Sequence, residues 1–162
     1  MKSVIMSLGL FLMSVQVFAI PAVGNQVVYK FIETNKGLTE EGTKELEITS
    51  YNPKTRLYTV RMTVNSNKGV YSNETETSIL VTDDNAKECL EKCEAEFNGQ
   101  LEDLVTPAGI IKTCHIRYTS NPGSVVENWW AEGVSFGNPQ SKVQTKEGYY
   151  LFQTLISYKL IP

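Results

Sequence analysis

The sequence predicts a mainly β fold: a single antiparallel curved sheet or half-barrel, built as a meander, with one packed α-helix. Three observations carry this. Residues 58–64, YTVRMTV, alternate without a break between apolar and polar side chains, the mark of a half-buried strand. Turn signals recur about every ten residues along the chain. One segment only, from Asn85 to Gly99, places its apolar residues at helical spacing.

The chain opens on MKSVIMSLGLFLMSVQVFA, with Lys2 ahead of an uncharged apolar run that closes on Val17-Phe18-Ala19. Small or aliphatic residues at the −3 and −1 positions give the layout of a cleaved secretory signal. Ser14 and Gln16 interrupt the run, which is short for a membrane span. The expectation is a signal peptide over 1–19, a mature N-terminus near Ile20, and one β-rich domain over 20–162, periplasmic or secreted and not transmembrane after cleavage. Cleavage removes Lys2 and no acid, so the net charge of −3 becomes −4. A mildly acidic chain without a basic run lacks the electrostatic footprint of a nucleic-acid binder.

ELEITSY, 45–51, alternates through Leu46 and Ile48, and Asn52-Pro53 separates it from 58–64, so the two form a predicted hairpin. Lys68-Gly69 marks the next turn. The helix follows: Asn85 is placed to cap it with Glu88 three residues on, and Ala86, Cys89, Leu90, Cys93 and Phe97 fall on one stripe. Asp83–Lys87 and Glu88–Lys92 are acid-first i,i+4 pairs, and Gly99 is placed to end the helix. In IIKTCHIRY, 110–118, Cys114 shares a face with Ile110, Ile116 and Tyr118, the more apolar face and the one expected to meet the helix. Asn121-Pro122-Gly123 separates that strand from SVVENWWA, and Lys146-Glu147-Gly148 precedes YYLFQTLISYKL.

The three cysteines are Cys89, Cys93 and Cys114. Cβ atoms four residues apart on a helix lie about 5–6 Å apart, beyond the roughly 3.5–4.5 Å that a disulfide prefers. Cys114 is therefore the better partner for one helix cysteine, and geometry leaves both Cys89 and Cys93 open. A Cys3His metal site with His115 fails because Cys114 and His115 are strand neighbours that point to opposite faces. The same opposition removes a Cys–His catalytic pair. His115 reads as a surface or groove residue beside Thr113 and Arg117.

Other active-site patterns fail on context. GVSFG, 133–137, matches a nucleophile elbow, but a proline-bearing, strand-like segment follows it and the single histidine precedes Ser135. The acidic segment 83–103 lacks the alternating ligand loop of a calcium site. Glu102 and Asp103 diverge on a strand and make a poor acid–base pair. Asn73-Glu74-Thr75 is a glycosylation sequon, relevant only in a eukaryotic secretory host. No cofactor and no metal is expected, and the chain reads as a non-enzyme. Trp129 and Trp130 point to opposite faces of one strand. With Tyr150, Phe152 and Tyr158 they are the candidates for lining an apolar groove. The last strand carries apolar or aromatic residues on both faces, as in a curved sheet covered by a helix or a ligand.

LEDLVTPAGIIKTCHI, 101–116, followed by WWAEGV, 129–134, resembles a box of uncharacterised bacterial secreted or periplasmic proteins: a glutamate, a Pro-Ala-Gly turn, a strand bearing a cysteine, then Trp-x-x-x-Gly. That grouping is similar to lipoprotein-carrier-like domains, in which a bent antiparallel sheet wraps an apolar cavity and a helix. The match covers these two segments only. It implies a turn at Pro107-Ala108-Gly109 and a bridged Cys114. Together with the place of Cys93 near the chain's return through 100–106, it leads to an expected Cys93–Cys114 disulfide with Cys89 free; Cys89–Cys114 is the alternative. The resulting expectation is an exported, non-catalytic binding module for an apolar ligand, a lipid or lipoprotein-like molecule, or an envelope protein. The alternative is a structural or protein-interaction domain with a filled core and no ligand.

Overall fold

The computed structural model describes residues 22–78, 83–120, 123–134 and 136–161. The proposed leader over 1–19, Pro122 and Ser135 lie outside the described residues. Nine strands form one antiparallel sheet: β1 (Gln26–Asn35), β2 (Leu38–Asn52), β3 (Leu57–Ser66), β4 (Gly69–Thr77), β5 (Gln100–Thr106), β6 (Gly109–Ser120), β7 (Ser124–Trp130), β8 (Gln140–Gln144) and β9 (Tyr150–Lys159). The order is β4-β3-β2-β1-β9-β8-β7-β6-β5. Two meanders, β1 to β4 and β5 to β9, are thus joined where β1 pairs with β9, and the sheet stays open, not closed into a barrel.

Local chemistry sets the hairpins. Asn52 Oδ1 accepts the backbone N–H groups of Lys54 and Thr55, and Arg56 N donates to Asn52 O, which closes the β2–β3 turn. Thr106 Oγ1 receives Ala108 N and donates to Gly109 O, so Pro107-Ala108 makes the β5–β6 turn, with Gly109 at φ 127° where a side chain is strained. Tyr58, Val60, Met62 and Val64 do share one face, opposite Arg61, which bridges Glu47 and Glu74 across three strands.

Two bulges redirect side chains. The register of β2 with β3 shifts between Ile48 and Ser50, so Tyr51 lies opposite Tyr58 with ring centroids 4.6 Å apart. The register of β1 with β9 shifts between Val28 and Tyr29. A bulge inserts one residue and so reverses the alternation beyond it. The core gathers at this junction: Val27, Tyr29 and Leu155 pack with Ala131 and Val134 from the loop between β7 and β8, and Leu46, Ala108, Ile111 and Phe136 flank them. Tyr29 OH donates to Asn138 O at 3.0 Å, tying that loop to β1.

The helix α1 (Asp83–Glu91) packs against β6 and β7. It begins before Asn85, which stands in the first turn rather than ahead of it. It also ends before Cys93, and irregular turns carry the chain to Gly99, whose N–H meets Cys93 O at 2.8 Å. Phe97 therefore leaves the apolar stripe and is exposed, whereas Ala86 and Cys93 are buried. Lys92 bridges Glu88 and Glu96 at 3.0 and 3.3 Å.

Candidate functional site

In β5 the residues Leu104 and Thr106 are buried and Glu102 is half-buried, while Leu101, Asp103 and Val105 face solvent. The meander β5 to β9 curls enough that β5 touches β9. Register carries this covered face across the half-sheet: Thr113 opposite Glu102, His115 opposite Trp129, and Glu127 opposite both Arg117 and Lys142, with Phe152 opposite Lys142. The face of Ile110, Cys114, Ile116 and Tyr118 meets the helical segment at Cys114, as expected, but the contact is confined to that end and the rest of the face looks outward. Cys114 alone on it is sealed, beneath the bridge to Cys93, while Ile110 stands 72% and Tyr118 48% exposed. The inner face tolerates Thr113 at 0% exposure because its Oγ1 donates to the Glu102 carbonyl at 3.2 Å.

The inner face is organised around His115. Its ring stacks on Trp129, centroids 4.1 Å apart and planes 8° from parallel. The indole Nε1–H of Trp129 donates to Glu102 Oε1 at 2.5 Å. Glu102 Oε1 also lies 3.8 Å from His115 Nδ1, and Glu127 Oε2 lies 3.3 Å from His115 Nε2. The Nε2 atom is buried and has no aligned hydrogen bond, so Glu127 Oε2 stands beside it without a directed N–H contact. Lys142 Nζ reaches Glu127 Oε1 at 3.2 Å. Burial works to raise the Glu127 pKa, but the hydrogen bond and charge of Lys142, with Arg117 and His115 behind it, prevail and hold the carboxyl below its ordinary range.

The five proposed groove residues do not converge. Trp129, Tyr150 and Phe152 share the inner face by register, whereas Trp130, opposite Cys114, lies on the other. The bulge in the β1–β9 pairing turns Tyr158 to lie opposite Val27, away from the face of Phe152, and leaves it 44% exposed. A separate shallow depression of about 360 Å³ is lined by Lys30, Glu41, Gly42, Thr43, Asn67 and Ile156, whose apolar atoms make up most of its wall.

Cys93 and Cys114 form a disulfide, Cα atoms 5.6 Å apart, and Cys89 is a half-buried free thiol. Such a bridge is compatible with an oxidising extracellular compartment. It also removes two members of the nominal Cys3His set, and among the described residues no group of three or more His, Cys, Asp or Glu side chains is placed to hold a metal. Gly133 and Gly137 sit in the loop after β7, and strand β8 follows them where a nucleophile elbow needs a helix. No helix among the described residues is long and apolar enough to cross a membrane.

Gly99 makes the bridge possible. A Cβ there would stand 2.8 Å from Cys93 Sγ, 2.9 Å from Cys114 Sγ and 2.9 Å from His115 O. Gly99→Ala is therefore expected to destabilise the domain by about 1–3 kcal/mol and to give a mixture of bridged and unbridged chains. Thiol counting on the purified variant checks this; a fully bridged variant of unchanged stability would contradict the close approach.

Two features escape a reading of sequence alone. Glu127 and Glu102 bracket His115 only because three strands align in one register. Lys44 is half-buried on the other face, hydrogen-bonded to Gln153 and 5.7 Å from the Tyr29 ring centroid, and burial pushes its pKa down against the opposing pull of Glu33. No protein-family model matches the sequence, and no curated protein matches it.

Proposed function

We propose that the protein is an exported, non-catalytic binding module that meets an envelope component through the outer face of its β5–β6 hairpin. The observation behind this reading is a group of large apolar side chains on that face: Val105 and Ile110 are cross-strand partners exposed to 76% and 72%, with Leu101 and Tyr118 along the same face. Isolated exposed apolar residues are ordinary, whereas an exposed apolar pair at the tip of an edge hairpin, with Leu101 and Tyr118 beyond the Asp103–Lys112 pair on the same face, suits a contact surface with charged residues among the apolar ones. The hairpin tip is set by the turn at 106–109 and its base by the disulfide, so the surface is pre-organised, which lowers the entropic cost of association.

The second reading, carriage of a lipid or other apolar ligand, draws on the inner-face placement of Trp129, Tyr150 and Phe152 and on the resemblance of the 101–116 and 129–134 box to carrier-like domains. The division of the aromatic candidates between two faces favours the first reading.

Native mass spectrometry of protein purified from its own compartment separates the two. The expected result is a protein complex that is lost in the Val105→Glu/Ile110→Glu variant while the His115→Ala variant keeps it. A lipid-sized adduct that survives the double substitution would replace the contact-surface reading with the carrier. A turnover lost by orders of magnitude in a folded His115→Ala protein would overturn the non-catalytic reading.

A further inference from the structure

The open sheet has two edges, β4 and β5, and they are not alike. An edge strand presents unpaired N–H and C=O groups on which another strand can build. The β5 edge is guarded: the strand curls to touch β9, and Glu102 turns its carboxylate to the inner face, where it accepts the Trp129 indole N–H. Cover and inward-pointing charge are common ways of blunting an edge. β4 has neither. Its nine residues, GVYSNETET, are exposed at every position except the last, half-buried Thr77. They include no proline and no lysine, and the ladder to β3 runs from Ser66–Gly69 to Tyr58–Thr77 without a bulge. Val70 is 71% and Tyr71 52% exposed. Of the two acids, Glu74 is already engaged by Arg61 of β3 at 3.0 Å.

The strand is also complementary to itself. Two copies of β4 laid antiparallel with all nine residues overlapped put the two-fold axis at Asn73, the middle of the strand. In that register Tyr71 of each copy faces Thr75 of the other, Ser72 faces Glu74, and Val70 faces Glu76. An aromatic residue opposite a β-branched one favours pairing, and no acid faces an acid. Val64 and Val60 of β3 lie beside Tyr71 and Thr75, so each Tyr–Thr pair continues a row that begins on apolar side chains. At the axis each Asn73 amide offers the other both a donor and an acceptor. Sliding the strands by two residues one way sets Glu74 against Glu74, and sliding them the other way forfeits ladder pairs.

We propose that β4 is a dimerisation edge, through which two copies of this chain join antiparallel into one continuous sheet centred on Asn73. The pairing satisfies the free ladder groups of β4 and covers Val70 and Tyr71. β4 and β5 stand at opposite ends of the strand order. The dimer therefore leaves the outer face of each β5–β6 hairpin open and presents that surface twice, which raises the avidity for any partner that repeats.

Sedimentation equilibrium of protein purified from its own compartment, from about 1 to about 100 μM, tests this over the span of weak to moderate self-association. The expected result is a monomer–dimer equilibrium with no larger species. Asn73→Lys and Asn73→Asp each bring like charges together at the axis from an exposed position, and each should weaken the dimer by at least about tenfold. An equimolar mixture of the two variants should recover it, because a lysine then meets an aspartate. The Val105→Glu/Ile110→Glu variant should dimerise as the unsubstituted protein does, which separates this edge from the hairpin surface. A monomer throughout the range, a dimer indifferent to both Asn73 substitutions, a mixture that stays monomeric, or a dimer lost in Val105→Glu/Ile110→Glu would overturn the proposal. Should either Asn73 variant fail to fold, amide exchange of the unsubstituted protein decides: the β4 amides should gain protection as concentration rises, and exchange that does not change with concentration would overturn it.

Discussion

Cys93→Ser is expected to cost the folded domain about 3 kcal/mol, because it removes a cross-link that closes 21 residues of chain. In the chain-entropy account the loss is felt in the unfolded state, which regains the freedom of the loop. The folded state loses little directly, since α1 still covers β6 and β7. Two thiols, Cys89 and Cys114, should then be countable in the denatured variant. Cys89→Ser should leave the bridge intact and cost only packing: Cys89 is half-buried, and burial pushes its thiol pKa up, which keeps it protonated and a poor nucleophile. Reduction of the unsubstituted protein should reproduce the Cys93→Ser loss and leave the stability of that variant unchanged. Denaturant unfolding with and without reductant checks both. A Cys93→Ser protein with no free thiols would show that Cys89 can swing to Cys114, and that the turns after Glu91 are soft enough to permit it.

How much of this was legible in the sequence differs between the elements. The β2–β3 hairpin was readable because its strands are covered on one face and its turn residue, Asn52, closes the loop with its own side chain. The open antiparallel sheet with one helix follows from the same kind of signal repeated along the chain. β4 was not readable: it is an edge strand exposed nearly throughout, so GVYSNETET has no face to bury and shows no apolar alternation. β6 was readable in part: its Cys114 face does meet the helical segment, but Ile110 and Tyr118 on that face are exposed while Thr113 on the other is buried by virtue of a satisfied hydrogen bond. Hydrophobic alternation reports burial by transfer free energy and is silent about polar groups buried with partners. Trp130 was legible as facing away from Trp129, but Tyr158 was separated from Phe152 by a bulge, which has no sequence signature in β1 or β9 and reverses the side chains beyond it. Glu102, His115, Trp129 and Glu127 could each be placed on a strand face, but their meeting depends on the register between β5, β6 and β7, and no single strand encodes that.

That register is held at the junction of the two meanders, and Leu155→Ala is expected to weaken it most. Leu155 is fully buried in the cluster with Val27, Tyr29, Ala131 and Val134. It pairs with Tyr29 at the bulge, and its backbone N–H donates to Pro139 O at 2.8 Å. The side chain thus sits where β1, β9 and the loop after β7 converge, a loop also tied by Tyr29 OH on Asn138 O, Asn138 Nδ2 on Asn128 Oδ1 and Ala131 N on Gly137 O at 2.9 Å. Truncation removes the transfer energy of the lost methyls and leaves a cavity whose walls are two strands fixed by their ladders, so relaxation is limited. A loss of about 2–5 kcal/mol is expected, toward the upper end because neither β1 nor β9 can close the gap without breaking its pairing. Leu151, half-buried on the same strand, should cost less when truncated in the same way. Urea unfolding should show a lower midpoint for Leu155→Ala with an unchanged slope. A lower slope instead would mean that the β7–β8 loop has already left the sheet in the native state of the variant, and exchange of the Ala131 and Gly137 amides would then be fast at every pH. An effect of Leu155→Ala no larger than that of Leu151→Ala would show that the two meanders are held together elsewhere than at this junction.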